Sequence, residues 1–119
     1  MIQHVTLYVL FATLTIKCFF LLQHVTLYVL KEVERLPFVK EQLEKLKECN
    51  LIMDNKVVVS CQTDLPSIEN PLFAQIAHLA TFKDEKDAQA FPMSKEHMEL
   101  VQTTNDCIHQ VITMNYIDE

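Results

Sequence analysis

The chain has 119 residues, 16 acidic against 10 basic, and it contains neither glycine nor tryptophan. That length allows one ordinary domain, or an anchor followed by a smaller body. The acidic balance argues against nucleic-acid binding, which needs a basic surface, and the missing glycine removes the loops that usually cradle phosphates or seat an elbow nucleophile.

Residues 1–30 hold a single charged side chain, Lys17, so residues 31–119, with 9 basic and 16 acidic residues, carry a net charge of −7. Within the first segment, residues 5–22 read VTLYVLFATLTIKCFFLL, of which 14 are apolar. As a helix this stretch would span about 27 Å, close to the hydrocarbon thickness of a bilayer. A central lysine opposes insertion by roughly 2.5–3.5 kcal/mol, and the Leu, Ile, Val and Phe residues favour it by roughly 0.3–0.6 kcal/mol each, so insertion wins. The flank beyond it carries Lys31, Arg35, Lys40, Lys45 and Lys47. The positive-inside rule then predicts a membrane anchor with a cytoplasmic C-terminal body, and membrane lipid as a partner. The alternative is a core element of a chain that stays in the cytoplasm.

The octet QHVTLYVL occurs at Gln3–Leu10 and again, identically, at Gln23–Leu30. A 20-residue offset puts the copies on opposite sides of a helix but on the same face of a strand. The octet is rich in residues that favour strands, so the copies could also pair with each other. A local duplication of coding sequence accounts for the repeat, and His4 and His24 are read as repeat members rather than ligands.

From residue 31 the pattern changes. Pro37 suits the first turn of a helix. Leu36, Val39, Leu43, Leu46, Asn50 and Met53 fall three and four apart, which predicts an amphipathic or short coiled-coil helix within 31–54, with Glu41 and Lys45 paired across one turn. Residues 55–69 read as an extended linker or strand, because Val57, Val58 and Val59 favour an extended backbone.

The hexapeptide Val59-Ser60-Cys61-Gln62-Thr63-Asp64 resembles the docking peptides of the dynein light chain hub, with Gln62 at the central glutamine, Thr63 after it and Asp64 as the acidic flank. Cys61 stands where threonine is usual. The resemblance implies that these six residues would add a strand to the edge of that hub, a mode in which backbone bonds supply affinity and alternate side chains fill pockets. It covers six residues of the chain.

Residues 70–119 read as helical. Asn70 and Pro71 form a cap and first position, Leu72, Phe73, Ile76, Leu79 and Ala80 form an apolar face through about Phe82, and His78 is placed at the edge of that face. Lys83–Asp87 reads as a solvated turn or helix extension. After a break at Phe91-Pro92, Ser94 caps a last helix over about 95–114, with His97 and His109 on it.

No two of Cys18, Cys49, Cys61 and Cys107 have metal-ligand spacing, and free thiols are expected. No nucleophile, P-loop or zinc-hydrolase pattern is present, so no catalytic, cofactor-binding or metal residue is assigned. The sequence therefore predicts a mostly α chain with an N-terminal apolar, possible transmembrane helix, two or three amphipathic helices and one short extended segment. Its expected role is protein–protein interaction without catalysis, tethered to a membrane. The alternatives are a coiled-coil scaffold fragment docking the light chain hub, and a truncated reading frame with no function of its own.

Overall fold

The computed structural model describes residues 21–61 and 73–117. The second octet copy lies inside strand β1 (Leu22–Leu30). Leu22, Thr26, Tyr28 and Leu30 on its even face are buried, and Val25 and Leu27 point the other way. A short 3-10 turn at Val33–Arg35 leads into α1 (Leu36–Glu44), which has its proline in the first two positions. Val39 and Leu43 of α1, and Leu46 beyond it, are fully buried.

α1 ends without a left-handed residue. It tightens into a 3-10 turn, Lys45–Glu48, and Cys49 leaves in an extended conformation with its N–H bonded to the Leu46 carbonyl at 2.9 Å. Among the described residues no backbone angle φ is positive. A glycine-free chain thus closes its helices by narrowing the last turn rather than by a glycine cap.

Strand β2 (Asp54–Val59) follows, then β3 (Ile76–Phe82), with Ile76, His78, Ala80 and Phe82 buried in strict alternation. Asp84 caps the short α2 (Glu85–Ala90) by accepting from the Asp87 N–H at 2.9 Å. Ser94 caps α3 (Lys95–Thr104), its hydroxyl accepting from the His97 N–H at 3.2 Å. After another 3-10 turn the chain enters β4 (Ile108–Ile117).

The four strands lie in the order β2-β3-β1-β4, each antiparallel to its neighbours. The helices cover one face, and the core of Leu22, Leu43, Leu46, Ile76, Phe82, Phe91 and Leu100 fills the space between the two layers. Strands 1 and 3, with the strongest burial, sit at the centre.

Several expectations are corrected by this architecture. The chain is a two-layer α+β structure and not mostly α. The apolar run ending at Leu22 does not continue as a helix, because the second octet is a central strand flanked on both sides. Among the described residues no helix is long and apolar enough to cross a membrane, and where the expected span reaches them, at Leu21 and Leu22, the chain enters a strand, so the expected transmembrane helix and the membrane location that rested on it find no support there. Residues 5–20 of the expected span and the first octet copy lie outside the described residues.

The coiled-coil stripe is an ordinary core face. Leu36, Val39, Leu43 and Leu46 pack against the chain's own sheet, Asn50 lies in a turn past the helix end, and Met53 is 59% exposed. The ion pairs among the described residues are Lys40–Glu44 and Lys83–Asp87, in place of Glu41–Lys45. The helix expected through Phe82 is β3, and the last helix stops at Thr104, so that Ile108 and Ile112 belong to β4. In each case tertiary pairing overrides a helical spacing.

Candidate functional site: a histidine-lined cavity

Pairing of β1 with β3 and β4 brings distant polar residues onto the helix-facing side of the sheet. Thr26 lies opposite His78 on β3 and opposite Thr113 on β4, and His24 lies opposite Asn115. The α3 residue His97 comes down on this face through Phe91, at 4.8 Å between ring centroids. His24 contacts His78, Phe82 and Phe91 edge-on, at 6.0, 5.8 and 5.7 Å. Together these side chains surround a cavity of about 230 Å³ between the layers, near the β4 edge, with Tyr28 in its wall.

The hydrogen bonds fix the rings. His24 Nδ1 lies 2.7 Å from Asn115 Oδ1, and its Nε2 lies 2.9 Å from Thr26 Oγ1. The amide oxygen can only accept, so Nδ1–H donates and Nε2 accepts from the Thr26 hydroxyl. Thr26 then accepts from Thr113 at 3.3 Å, which makes a continuous relay. His78 donates from Nε2 to Asn55 Oδ1 at 2.5 Å, and the Asn55 amide donates to the Leu43 carbonyl at 3.3 Å. That pair ties the buried ring to the end of α1. His97 differs, because its buried Nδ1 makes no well-formed hydrogen bond among the described residues, although the Pro92 carbonyl lies beside its ring.

All three imidazoles are held neutral. Burial pushes the His78 pKa down to about 4, and the neighbouring His24 and His97 act in the same direction. Burial lowers His24, partly opposed by its bond to Asn115. It also lowers His97, where the Pro92 carbonyl opposes the shift and His24 adds to it. Burial raises the Tyr28 phenol to about 12, so it stays protonated. The wall thus presents neutral donors and acceptors. No Asp, Glu, Lys or Arg lines it among the described residues. No group of three or more His, Cys, Asp or Glu among them is placed to hold a metal ion.

The expected docking hexapeptide lies elsewhere. Val59 ends β2 opposite Ile76, the Ser60 N–H donates to the Gln75 carbonyl at 2.8 Å, and Cys61 is exposed. Gln62, Thr63 and Asp64 lie outside the described residues. Cys49, Cys61 and Cys107 are free thiols, and Cys18 also lies outside. The sequence named His24, His78 and His97 without joining them. His78 is only 1% exposed, at the centre of the core rather than at the edge of a helix. The signal that could have found it is the alternation Ile76-His78-Ala80-Phe82, visible once His is counted as a core residue.

No protein-family model and no curated protein sequence matches the chain. Solved structures do. One is a dimeric ferredoxin-like protein of unknown function from Bacteroides fragilis, 18% identical, with a TM-score of 0.63 over 82% of this chain and 96% of that one. Another is a DABB family protein with a ferredoxin-like fold from Mesorhizobium loti, 12% identical, with a TM-score of 0.64 over 84% and 98%. A third is a hydroxynitrile lyase from Passiflora edulis, 15% identical, with a TM-score of 0.66 over 85% and 95%. The chain therefore has a ferredoxin-like α+β fold with a four-stranded antiparallel sheet and three helices. At such identities the likeness extends to the fold alone.

Proposed function

We propose that the chain binds a small, uncharged, hydrogen-bonding organic molecule in the cavity formed by His24, His78 and His97. The observation that carries this is the buried Nδ1 of His97, without a well-formed hydrogen bond, in a residue lining a cavity where every other described imidazole is bonded. Buried polar atoms nearly always have partners, so a ring nitrogen left without one in a residue that lines a hollow points to a ligand able to hydrogen-bond there. The volume, about 230 Å³, exceeds the 150 Å³ of an engineered cavity that admits benzene, so a single ring of roughly ten heavy atoms or fewer fits. A neutral imidazole can also take a proton from such a ligand, and the hydroxynitrile lyase among the structural neighbours supports keeping acid–base chemistry within this reading. The test is titration of the ¹⁵N-labelled chain with cyclohexanol. Shifts concentrated at Tyr28, His97 and Thr113, and lost in His97→Phe, support the reading. Flat spectra at tens of millimolar overturn it.

A second reading keeps the expected role in protein–protein interaction, now through a surface of known shape. The sheet face away from the helices carries the row Val58, Ala77, Leu27, Ile112 and the row Lys56, Leu79, Val25, Met114 across all four strands. Leu27, Val58, Ile112 and Met114 are 36–58% exposed. An apolar sheet face of this kind marks an interface, and the structural neighbour described as dimeric favours a second copy of the chain as its occupant. Equilibrium sedimentation tests it. A dimer that becomes a folded monomer in Leu27→Asp is expected, and a wild-type monomer at 100 μM, by order of magnitude, refutes it.

A further inference from the structure

A second hollow of about 310 Å³ runs between α3 and the start of β4. It shares Tyr28, His97 and Val111 with the histidine cavity, and Tyr28 and Val111 are direct partners across β1 and β4. The two hollows therefore adjoin across these three residues. Their linings differ in character. The first presents imidazoles, hydroxyls and an amide beside Leu46, Phe91 and Pro92, whereas the second presents a larger apolar share, from Leu100, Val101, Ile108 and Val111, with Asn105, His109 and Gln110 also in its wall. Thr104 in its wall has its hydroxyl proton committed to the Leu100 carbonyl at 2.7 Å. Neither hollow is lined by an Asp, Glu, Lys or Arg among the described residues.

We infer that the two hollows form one bipartite site for an uncharged amphiphile, whose hydrogen-bonding head sits among His24, His78 and His97 and whose hydrocarbon tail lies along Leu100, Val101 and Ile108. This rests on the small-molecule reading above and adds the ligand's class to it. The occupant of the groove follows from the adjacency at His97, since a ligand longer than a single ring that fills the cavity has this apolar groove beside it. The charge follows from the lining, since a carboxylate or ammonium head would lose its hydration without gaining a counter-ion. The tail is bound by area rather than by direction. Each added methylene is therefore worth a fixed factor, about fourfold in Kd from ~0.8 kcal/mol per buried CH₂, until the groove is full.

The experiment is a calorimetric or NMR titration with cyclohexanol and its trans-4-alkyl derivatives from methyl to heptyl. The expected result is a Kd that falls about fourfold per methylene over the first several carbons and then levels off. Val101→Asn should flatten that series and leave the Kd of cyclohexanol itself within about twofold. Because Val101 is 46% exposed on α3, the variant is expected to fold. The matching 4-alkylcyclohexanecarboxylates should bind at least tenfold more weakly at pH 7. Binding of cyclohexanol with no dependence on chain length overturns the bipartite site and leaves the cavity reading standing. Equal binding of the carboxylates overturns the uncharged head. Absence of binding by every member overturns both.

Discussion

Acid should unfold this protein through His78 before general titration of the surface does. The ring is 1% exposed, its Nε2 proton is committed to Asn55, and burial holds the native pKa at about 4 against 6.5 for the free side chain. Between those two values the unfolded chain binds a proton that the native chain refuses. Stability therefore rises with pH in that window, is complete above 6.5, and is lost as pH falls toward 4. Going from pH 7 to pH 4.5 removes about 2–3 kcal/mol through this residue alone. For a urea m-value of about 1.5 kcal/mol/M, the midpoint should drop by roughly 1.5 M. His24 and His97, lowered by burial in the same direction, deepen the same window. The assay is urea unfolding followed by circular dichroism at pH 7, 6, 5 and 4.5, on the wild type and on His78→Gln and His78→Leu. The variants should be less stable at pH 7 yet show a shallower fall with acid. A fall as steep in both variants as in the wild type would refute the reasoning, because surface carboxylates would then account for the whole effect.

Other outcomes follow from the same packing. Leu43→Ala, at a fully buried position, should lower stability by about 2–5 kcal/mol in urea unfolding, mostly through the cavity it leaves. Asn55→Leu removes the acceptor of His78 and the donor to the Leu43 carbonyl, and should destabilise by about 1–3 kcal/mol. Ser94→Ala deletes the cap of α3 and should lower stability by about 0.5–2 kcal/mol. Mass spectrometry after iodoacetamide treatment should find Cys61 modified in the native chain, and Cys49 and Cys107, 1% and 2% exposed, modified only after unfolding.

The parts of the fold that could be read from the chain are those with local causes. Pro37 and Ser94 mark helix starts because a proline ring and a capping hydroxyl act within one turn. The three valines at 57–59 give β2 because branched side chains restrict their own backbone. The remaining strands are decided at long range. β1 alternates cavity-facing His24, Thr26 and Tyr28 with Val25 and Leu27, but these apolar residues lie on the uncovered face and the polar ones face the core, and the run merges with the apolar segment before it, so the alternation does not read as a half-buried strand. β3 carries alanine at 77 and 80, and its Ile76, Leu79 and Ala80 match a helical spacing as well as a strand. β4 continues directly from α3 through a 3-10 turn, with no proline or glycine to mark the change. The candidate site was illegible for the same reason. His24, His78 and His97 are separated by tens of residues, and only the pairing of β1 with β3 and the descent of α3 brings them together.

The duplicated octet acquires a different meaning once its second copy is seen as β1. His24, Thr26 and Tyr28 line the cavity from one face of the strand, and Val25 and Leu27 lie on the opposite, uncovered face. One strand thus serves both proposed activities, separated only by the parity of residue number. Substitutions along β1 should accordingly sort into two classes. Thr26→Val breaks the relay from Thr113 to His24 without changing volume much, and should weaken cyclohexanol binding while the sedimentation mass stays unchanged. Val25→Asp and Leu27→Asp should do the reverse, dissociating the pair with the head cavity intact. Both properties are to be measured on the same samples. If Thr26→Val altered only the mass, or Leu27→Asp abolished ligand binding in a chain that remained folded, the two faces would not be independent and the assignment of one activity to each would fail. The first copy, Gln3–Leu10, repeats the same alternation of cavity-type and apolar residues.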